Sequence, residues 1–422
     1  LGDIFGSIQT IGRLSWKALG GTIRRLGVVG LLFVAPVAAL GEPTARLIHF
    51  TTDGTQEGAP LLPGFDLHSV WSGLGQTDDG TVYIAVSNHN EVSGNVAIFA
   101  LDPGADQMRV LGDLKSVSLA AGNWDEGESQ YKVHTFLQQA ADGLIYFATM
   151  PSSSPEKDRG AHIYSLNPQT DEIRDVSAVA GFSVTRRGDV ASGSGVVVQQ
   201  LGIKGMGLHP DFPDVLYLMT YGNGALLRYD LRTGLFQVVG HSARVSYVFH
   251  VDAEGDVYYL GGAPGEEQGF LRYNAQTGET TTLVSGIAED EEVGMIVPTA
   301  NPDVILVLLA KSKEVFPVHT VNERRLRGGT SCGRNWWRLF NMAVSPDGKD
   351  VFFVSNNNDR SAIWRAPVGG GSCVEVLDVD GLLGSRNLAF GGQNIWVGDS
   401  FYTPVWTHEG SRDVAILEVT VK

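Results

Sequence analysis

Seven times along this chain an apolar, β-branched and aromatic run follows directly on a turn. The segments are "TDDGTVYIAVS", "AADGLIYFATM", "PDFPDVLYLMT", "DAEGDVYYLGG", "ANPDVILVLLA", "SPDGKDVFFVS" and "GGQNIWVGDS". A second phrase recurs behind five of them, as strand, polar turn, strand: "VAIFALDPGADQMRVL", "AHIYSLNPQTDEIRDV", "ALLRYDLRTGLFQVV", "FLRYNAQTGETTTLV" and "AIWRAPVGGGSCVEVL". Asp, Asn and Gly between short alternating runs are hairpin chemistry, because those residues accept the backbone angles a tight turn needs. The later units recur about every forty to fifty residues, the size of a four-stranded propeller blade. The reading is therefore all-β: one seven-bladed β-propeller of four-stranded blades, spanning residues 42–422. Closure into a ring leaves few strand edges exposed. "TARLIHF" near the start and "VAILEVTVK" at the end are expected to share a blade and latch that ring.

Residues 1–41 differ in kind. Arg13, Lys17, Arg24 and Arg25 precede the apolar run "LGVVGLLFVAPVAALG", which is interrupted by Pro36. That run is short for a membrane span and suits a secretory signal with small residues near Ala39–Gly41. A secreted, periplasmic or extracellular location is expected, with membrane attachment only if the segment stays uncleaved. The formal net charge of −16 argues against nucleic acid as a partner, since phosphate binding needs a basic surface. The two cysteines, Cys332 and Cys373, fit no zinc or haem spacing. In an exported chain the pair reads as a structural disulfide.

In a propeller blade the first strand lines the central channel and the fourth lies outside. The starts of the first strands and the loops between second and third strands then converge on one mouth. His134 opens the first strand of the second unit. Basic residues stand at the corresponding places elsewhere: Lys204, Arg244, Arg338 and Arg386. With Lys132 beside His134, five of seven units bring a cation towards one opening. The fifth unit, "EDEEVGMIV", is acidic there. His89 and Tyr221 follow second strands, and His162 begins a third, so each is expected near the same mouth. Trp336, in "GRNWWRL", could stack on a sugar ring. His209 falls at the opposite, turn-rich side and reads as structural. P-loop, dinucleotide, HExxH and CxxCH patterns are absent from the sequence.

"KVHTFLQQAADGLIYFATM…RGAHIYSLNPQTDEIRDV", "LYLMTYGNGALLRYDLRTG" and "SARVSYVFHVDAEGDVYY" resemble the seven-bladed propeller polysaccharide lyases of the ulvan lyase type, over roughly residues 80–275. The resemblance implies an active site of two histidines, a tyrosine and an arginine. Position by position these are His89, His134, Tyr221 and Arg244, with Lys132, Lys204, Arg338, Arg386 and Trp336 around them for substrate. Gly222 after the tyrosine and the acidic stretch "NWDEGE" depart from the family pattern.

The implied reaction is β-elimination on a uronate-containing anionic polysaccharide. It requires neutralisation of the sugar carboxylate, removal of the adjacent proton and protonation of the leaving oxygen. No cofactor is required by that chemistry. A structural zinc or calcium in the channel is compatible with the fold, without ligands that the sequence can name. A monomer is expected. Two other classes remain open. One is a non-catalytic carbohydrate-binding or scaffolding propeller of the cell envelope. The other is a lactonase-like or streptogramin-lyase-like enzyme on the same fold.

Overall fold

The repeated turns dictate the architecture through one local device. In "TDDGT", Thr77 and Thr81 close the hairpin with a backbone bond of 3.1 Å, and Gly80 donates back to the Thr77 carbonyl at 2.9 Å. Gly80 sits at φ +89, a region an L side chain enters only at a cost. The same bond pattern recurs at Ala140–Leu144, Asp252–Asp256 and Ser345–Asp350. In each case a left-handed glycine occupies the equivalent place: Gly143, Gly255 and Gly348.

In the computed structural model residues 43–421 are described, apart from 51–54, 57–58, 61, 63–64, 153–158, 178–181, 185–189, 193–194, 243–245, 247, 263–266, 332–340, 358–359, 385–387 and 408–413. They build seven antiparallel blade sheets and two short two-stranded ones, Thr55–Gln56 with Ala59–Pro60 and Phe182–Val184 with Val190–Ser192. The first blade is Leu74–Gln76, Val82–Ser87, Val96–Leu101 and Arg109–Asp113. The second has an interrupted inner strand, Gln130–Val133 then Gln138–Gln139, followed by Ile145–Pro151, Ile163–Asn167 and Glu172–Asp175. The third is Ile203–Leu208, Val215–Thr220, Ala225–Asp230 and Phe236–His241. The fourth is His250–Val251, Val257–Gly261, Gly269–Tyr273 and Thr280–Val284. The fifth comprises Val293–Pro298, Val304–Leu309 and Glu314–His319, with Arg324–Arg325 and Thr330–Ser331 sharing its outer edge. The sixth is Ala343–Val344, Asp350–Asn357, Arg360–Pro367 and Val374–Asp378. Two short helices, Leu114–Ala120 and Val379–Leu383, are the helices among the described residues.

The last blade closes the ring as expected. Its strands run Leu388–Phe390 with Ile395–Val397, then Ser400–Thr407, Val414–Thr420 and, outermost, Thr44–His49. Thr44 pairs with Thr420 and His49 with Ala415, antiparallel throughout. Arg46 adds an ion pair to Glu418 across the join. Two details differ from the sequence reading. "IWV" in "GGQNIWVGDS" belongs to the inner strand, because the turn falls at Gly398–Asp399 and Ile395 pairs with Tyr402. The outer half of the fifth blade escaped notice because "RRLRGG" breaks the strand pattern into two short pieces.

The cores lie between consecutive sheets. Ile395, Tyr402, Trp406 and Ile416 of the last blade pack with Val70, Leu74, Ile84 and Phe99 of the first. Tyr83, Ile98 and Ala100 then meet Val133, Phe147 and Tyr164 of the second. Each sheet is thus buried on both faces, which is why second strands such as "VILVLL" are apolar throughout rather than alternating. The N-terminal apolar run lies outside the described residues. Among those described, no helix is long and apolar enough to cross a membrane.

Candidate functional site

Main-chain contacts join the channel-lining segments of the last, first and second blades. Ser72 N donates to Val133 O at 3.5 Å, Leu137 N to Leu74 O at 3.1 Å, and Gly392 N of the last blade to Trp71 O. The second blade's inner strand parts from its own sheet between Val133 and Gln138. There Thr135 Oγ1 substitutes for the ladder, accepting from Ala148 N at 2.8 Å and donating to Ala148 O at 3.2 Å. His134 therefore lies within the strand, at its interruption, and not at its beginning.

Trp71 is the hub of the site. Its ring lies 5.4 Å from that of His89 at 27°, and 5.2 Å from that of His134 at 45°. His89 also stacks on His68 at 4.6 Å and meets Tyr131 at 5.0 Å. Lys132 Nζ stands 4.4 Å from the centroids of both Trp71 and Tyr131, within cation–π range. His89 holds a left-handed backbone, φ +48. The neighbouring Asn88 side chain fixes it, accepting from Asn90 N and Asn95 N and donating to Ser93 O. A non-glycine residue held in that region by surrounding hydrogen bonds is a common mark of functional loops.

The third blade adds Lys204 and Tyr221. Tyr221 N donates to Gly202 O at 2.7 Å, so the end of the second strand is tied to the start of the first. Lys204 Nζ consequently sits 4.3 Å from the Tyr221 ring centroid. Tyr221 is 40% exposed, whereas Lys132 and Lys204 are each only 8% exposed. Gly222, at φ +101, is the residue that lets the chain reverse immediately after the tyrosine.

Burial governs the charges. Desolvation, reinforced by repulsion from Lys132, pulls the Lys204 ammonium down to about 7. Desolvation takes Lys132 to about 8 against a weaker pull from Glu91. His134 falls well below the ordinary imidazole value, by desolvation first and then by Lys204, Lys132 and His89. His89 is lowered by desolvation and by Lys132. At neutral pH both imidazoles are neutral and can accept a proton, beside amines that are partly charged.

His162 is a correction. It does not face the mouth but is fully buried, with its Nδ1–H donating to Asp175 Oδ2 and its Nε2–H to Glu128 Oε1, each at 2.7 Å. Burial alone would depress it. The hydrogen bonds and charges of Asp175 and Glu128 reverse that and raise it to about 9. Burial likewise opposes ionisation of Glu128 and Asp175, yet the imidazolium holds both below the usual carboxylate range. Arg159 pairs with Glu128 and Asp125, so much of the "NWDEGE" charge is neutralised internally. His209 is structural as expected. It stacks on Phe212 at 4.7 Å, and its Nδ1 accepts from Asp211 N.

The structure therefore places Lys132, His134 and Lys204 on the inner segments of the second and third blades, with His89 and Tyr221 just beyond the second strands of the first and third. Arg244, Arg338, Arg386 and Trp336 lie outside the described residues, as does Cys332, the expected partner of Cys373. Trp71, Tyr131 and His68 were missed. Their signal was present in "LHSVWSG", just before the first blade's inner strand, and in "SQYKVH", which opens the second's. Among the described residues, no group of three or more His, Cys, Asp or Glu could hold a metal ion.

No family model matches the chain, and no curated protein does. Solved structures do. The β-propeller domain of Cps50 (Swd1) from Myceliophteria thermophila superposes with a TM-score of 0.52 at 16% identity, covering 84% of this chain and 97% of that one. The extracellular domain of a hybrid two-component system from B. thetaiotaomicron gives 0.52 at 10% identity, covering 89% of this chain and 42% of that one. An ancestral GH74 enzyme gives 0.52 at 10% identity, covering 85% of this chain and 48% of that one. At such identities the likeness is one of fold, and the fold is the seven-bladed β-propeller, shared with proteins of different kinds.

Proposed function

We propose that this protein is a secreted polysaccharide lyase that cleaves a uronate-containing anionic polysaccharide by β-elimination at the propeller mouth. One observation carries the reading. Neutral His89 and His134 flank Trp71, while Lys132 and Lys204 bring positive charge to the same wall of an otherwise acidic protein. Elimination wants that combination: an uncharged base, a cation for the carboxylate, and a hydroxyl to protonate the leaving oxygen. In this scheme Lys132 and Lys204 neutralise the sugar carboxylate, with Arg244 as a further partner. His134 takes the proton next to the carboxylate, Tyr221 returns one to the leaving oxygen, and His89 orients the sugar. No cofactor takes part, and Cys332 and Cys373 pair to brace the sixth blade.

The test is ultraviolet absorbance of the unsaturated uronate product from ulvan, pectate, alginate and glycosaminoglycans, with His134→Ala and Tyr221→Phe alongside. Absorbance that rises with the wild type and drops at least about 100-fold in both variants supports the reading. A flat trace from folded protein overturns it. Polysaccharide binding that persists in both variants would then favour a carbohydrate-binding propeller.

A further inference from the structure

The lyase reading leaves the buried cluster around His162 without a part in the site. One short segment joins the two. At residues 128–131, where the chain enters the second blade's inner strand, successive side chains serve opposite sides. Glu128 and Gln130, both buried, turn towards the cluster. Glu128 Oε1 accepts from His162 Nε2 at 2.7 Å and from Gln130 Nε2 at 2.9 Å, and Gln130 Nε2 also reaches Gly160 O at 2.8 Å. Thr149 Oγ1 donates to Gln130 Oε1 at 2.6 Å. Ser129 and Tyr131 turn the other way, onto the first-blade loop that carries His89. Ser129 Oγ accepts from Gly94 N at 2.8 Å and donates to Asn90 O at 3.1 Å, and Gln130 N donates to Gly94 O at 3.1 Å. The fit is tight: a Cβ on Gly94 would stand 2.4 Å from Ser129 Oγ and 2.3 Å from Tyr131 Cβ. Tyr131 itself meets the His89 ring at 5.0 Å.

We infer that the His162–Glu128 pair positions His89, with Ser129 as the link between the buried cluster and the site. His89 holds a left-handed backbone while its ring stacks on both His68 and Trp71. Such a conformation persists only where its surroundings fix it. Asn88 fixes the loop from within, and Ser129 fixes it from outside, through one hydroxyl bonded to the main chain at Asn90 and at Gly94. The segment that carries Ser129 has little freedom of its own. Glu128 Oε2 also accepts from Asp125 N at 2.9 Å and from Arg159 Nε at 3.3 Å. Loss of the imidazole's bond would release one side of Glu128, and Ser129 would shift with it. The loop then moves, and His89 moves relative to Trp71. In the lyase reading this changes where His89 meets the sugar. That consequence rests on the reading, whereas the coupling itself does not.

The experiment follows the His89 imidazole of the full chain by NMR through a pH titration, with the signal assigned from the spectrum of His89→Gln. Desolvation and Lys132 lower the His89 titration against a weaker pull from Glu91. Ser129→Ala removes both hydroxyl bonds to the loop, so the ring should leave that enclosed place and bind a proton at least about twofold more tightly. His162→Gln should act in the same direction. The double variant should go no further than the larger single effect, as one linked unit requires; a through-space effect of charge would add instead. If His162→Gln does not fold, Glu128→Gln tests the same link. Ser177→Ala is the control. It removes the 2.5 Å bond from Ser177 Oγ to Asp175 Oδ1, which does not touch the 128–131 segment, and should lower stability while leaving His89 unchanged. An unmoved His89 in Ser129→Ala or His162→Gln, additive shifts in the double variant, or a shift of equal size in Ser177→Ala overturns the proposal. No polysaccharide enters the measurement, so its failure leaves the lyase reading standing, and a failed lyase assay leaves this coupling standing.

Discussion

His134 and His162 belong to the same blade, the first partly buried and the second fully so, yet they are driven to opposite protonation states. His162 is enclosed by two carboxylates that hold it charged, and its network is closed: Ser118, Asn123 and Ser177 supply further bonds to Asp175. His134 is enclosed by two lysines and an aromatic ring, which hold it neutral. Desolvation acts on both in the same direction, so the sign of the neighbouring charge decides the outcome. Where charge is matched, a buried polar cluster braces the fold. Where it is mismatched, the groups are pushed towards their uncharged forms.

Removing the imidazole is the most forceful way to break this contrast. His162→Leu leaves Glu128 and Asp175 buried without their shared cation and should cost about 3–5 kcal/mol in urea unfolding. The loss should be fullest where the network is complete. The imidazolium's contribution is present below its unfolded value of 6.5 and disappears as pH rises through about 9. That of Glu128 is present above 4.5 and disappears as pH falls. A destabilisation that does not change with pH between those limits and alkaline conditions would contradict a charged His162.

Lys204→Met should act with the opposite sign. The folded amine titrates near 7 and the unfolded one near 10.5, so charge burial opposes folding most strongly below 7. Wild-type stability should therefore climb with pH across that interval, and the variant should lack the climb. Below pH 7 the variant should be more stable by about 2–4 kcal/mol, a somewhat smaller change than at His162. If instead Lys204→Met destabilises under acid conditions, the ammonium is satisfied by its neighbours and the contrast fails.

A gentler comparison comes from imidazole NMR titration, which perturbs nothing. His162 should keep its proton until about 9, while His134 should remain neutral to well below 6.5. The smallest effect is expected from Trp71→Leu. Loss of one cation–π face should lower the Lys132 titration by a fraction of a unit, corresponding to about 0.5–1 kcal/mol. An unchanged Lys132 titration would show that Tyr131 alone suffices.

The fold was legible because its information is local. Each turn carries its own glycine, and each second strand its own apolar run. Ring closure was legible too, since "TARLIH" and "AILEVT" are both β-prone segments in need of a partner. The site was legible only in part. His89, His134, Lys132, Lys204 and Tyr221 could be placed by counting strands, because strand order fixes which end of the channel a residue reaches. Trp71 could not, as its importance lies in three partners drawn from separate loops and strands. His162 was misplaced for a related reason. Its carboxylates come from a loop and an outer strand, and nothing in the one-dimensional pattern says that Glu128 and Asp175 meet.

The join at Thr44–His49 also has a consequence in time. Arg46 and Glu418, which meet across it, are 372 residues apart in sequence, so the first strand of the ring to leave the ribosome must wait for the last. Bringing such distant ends together costs about 5 kcal/mol of chain entropy, which ordered intermediate blades reduce in advance. Assembly should therefore end with a slow closing step, before which the strand Val414–Thr420 and its partner are both open edges. The interval between synthesis and closure is when this molecule is most exposed to aggregation and proteolysis.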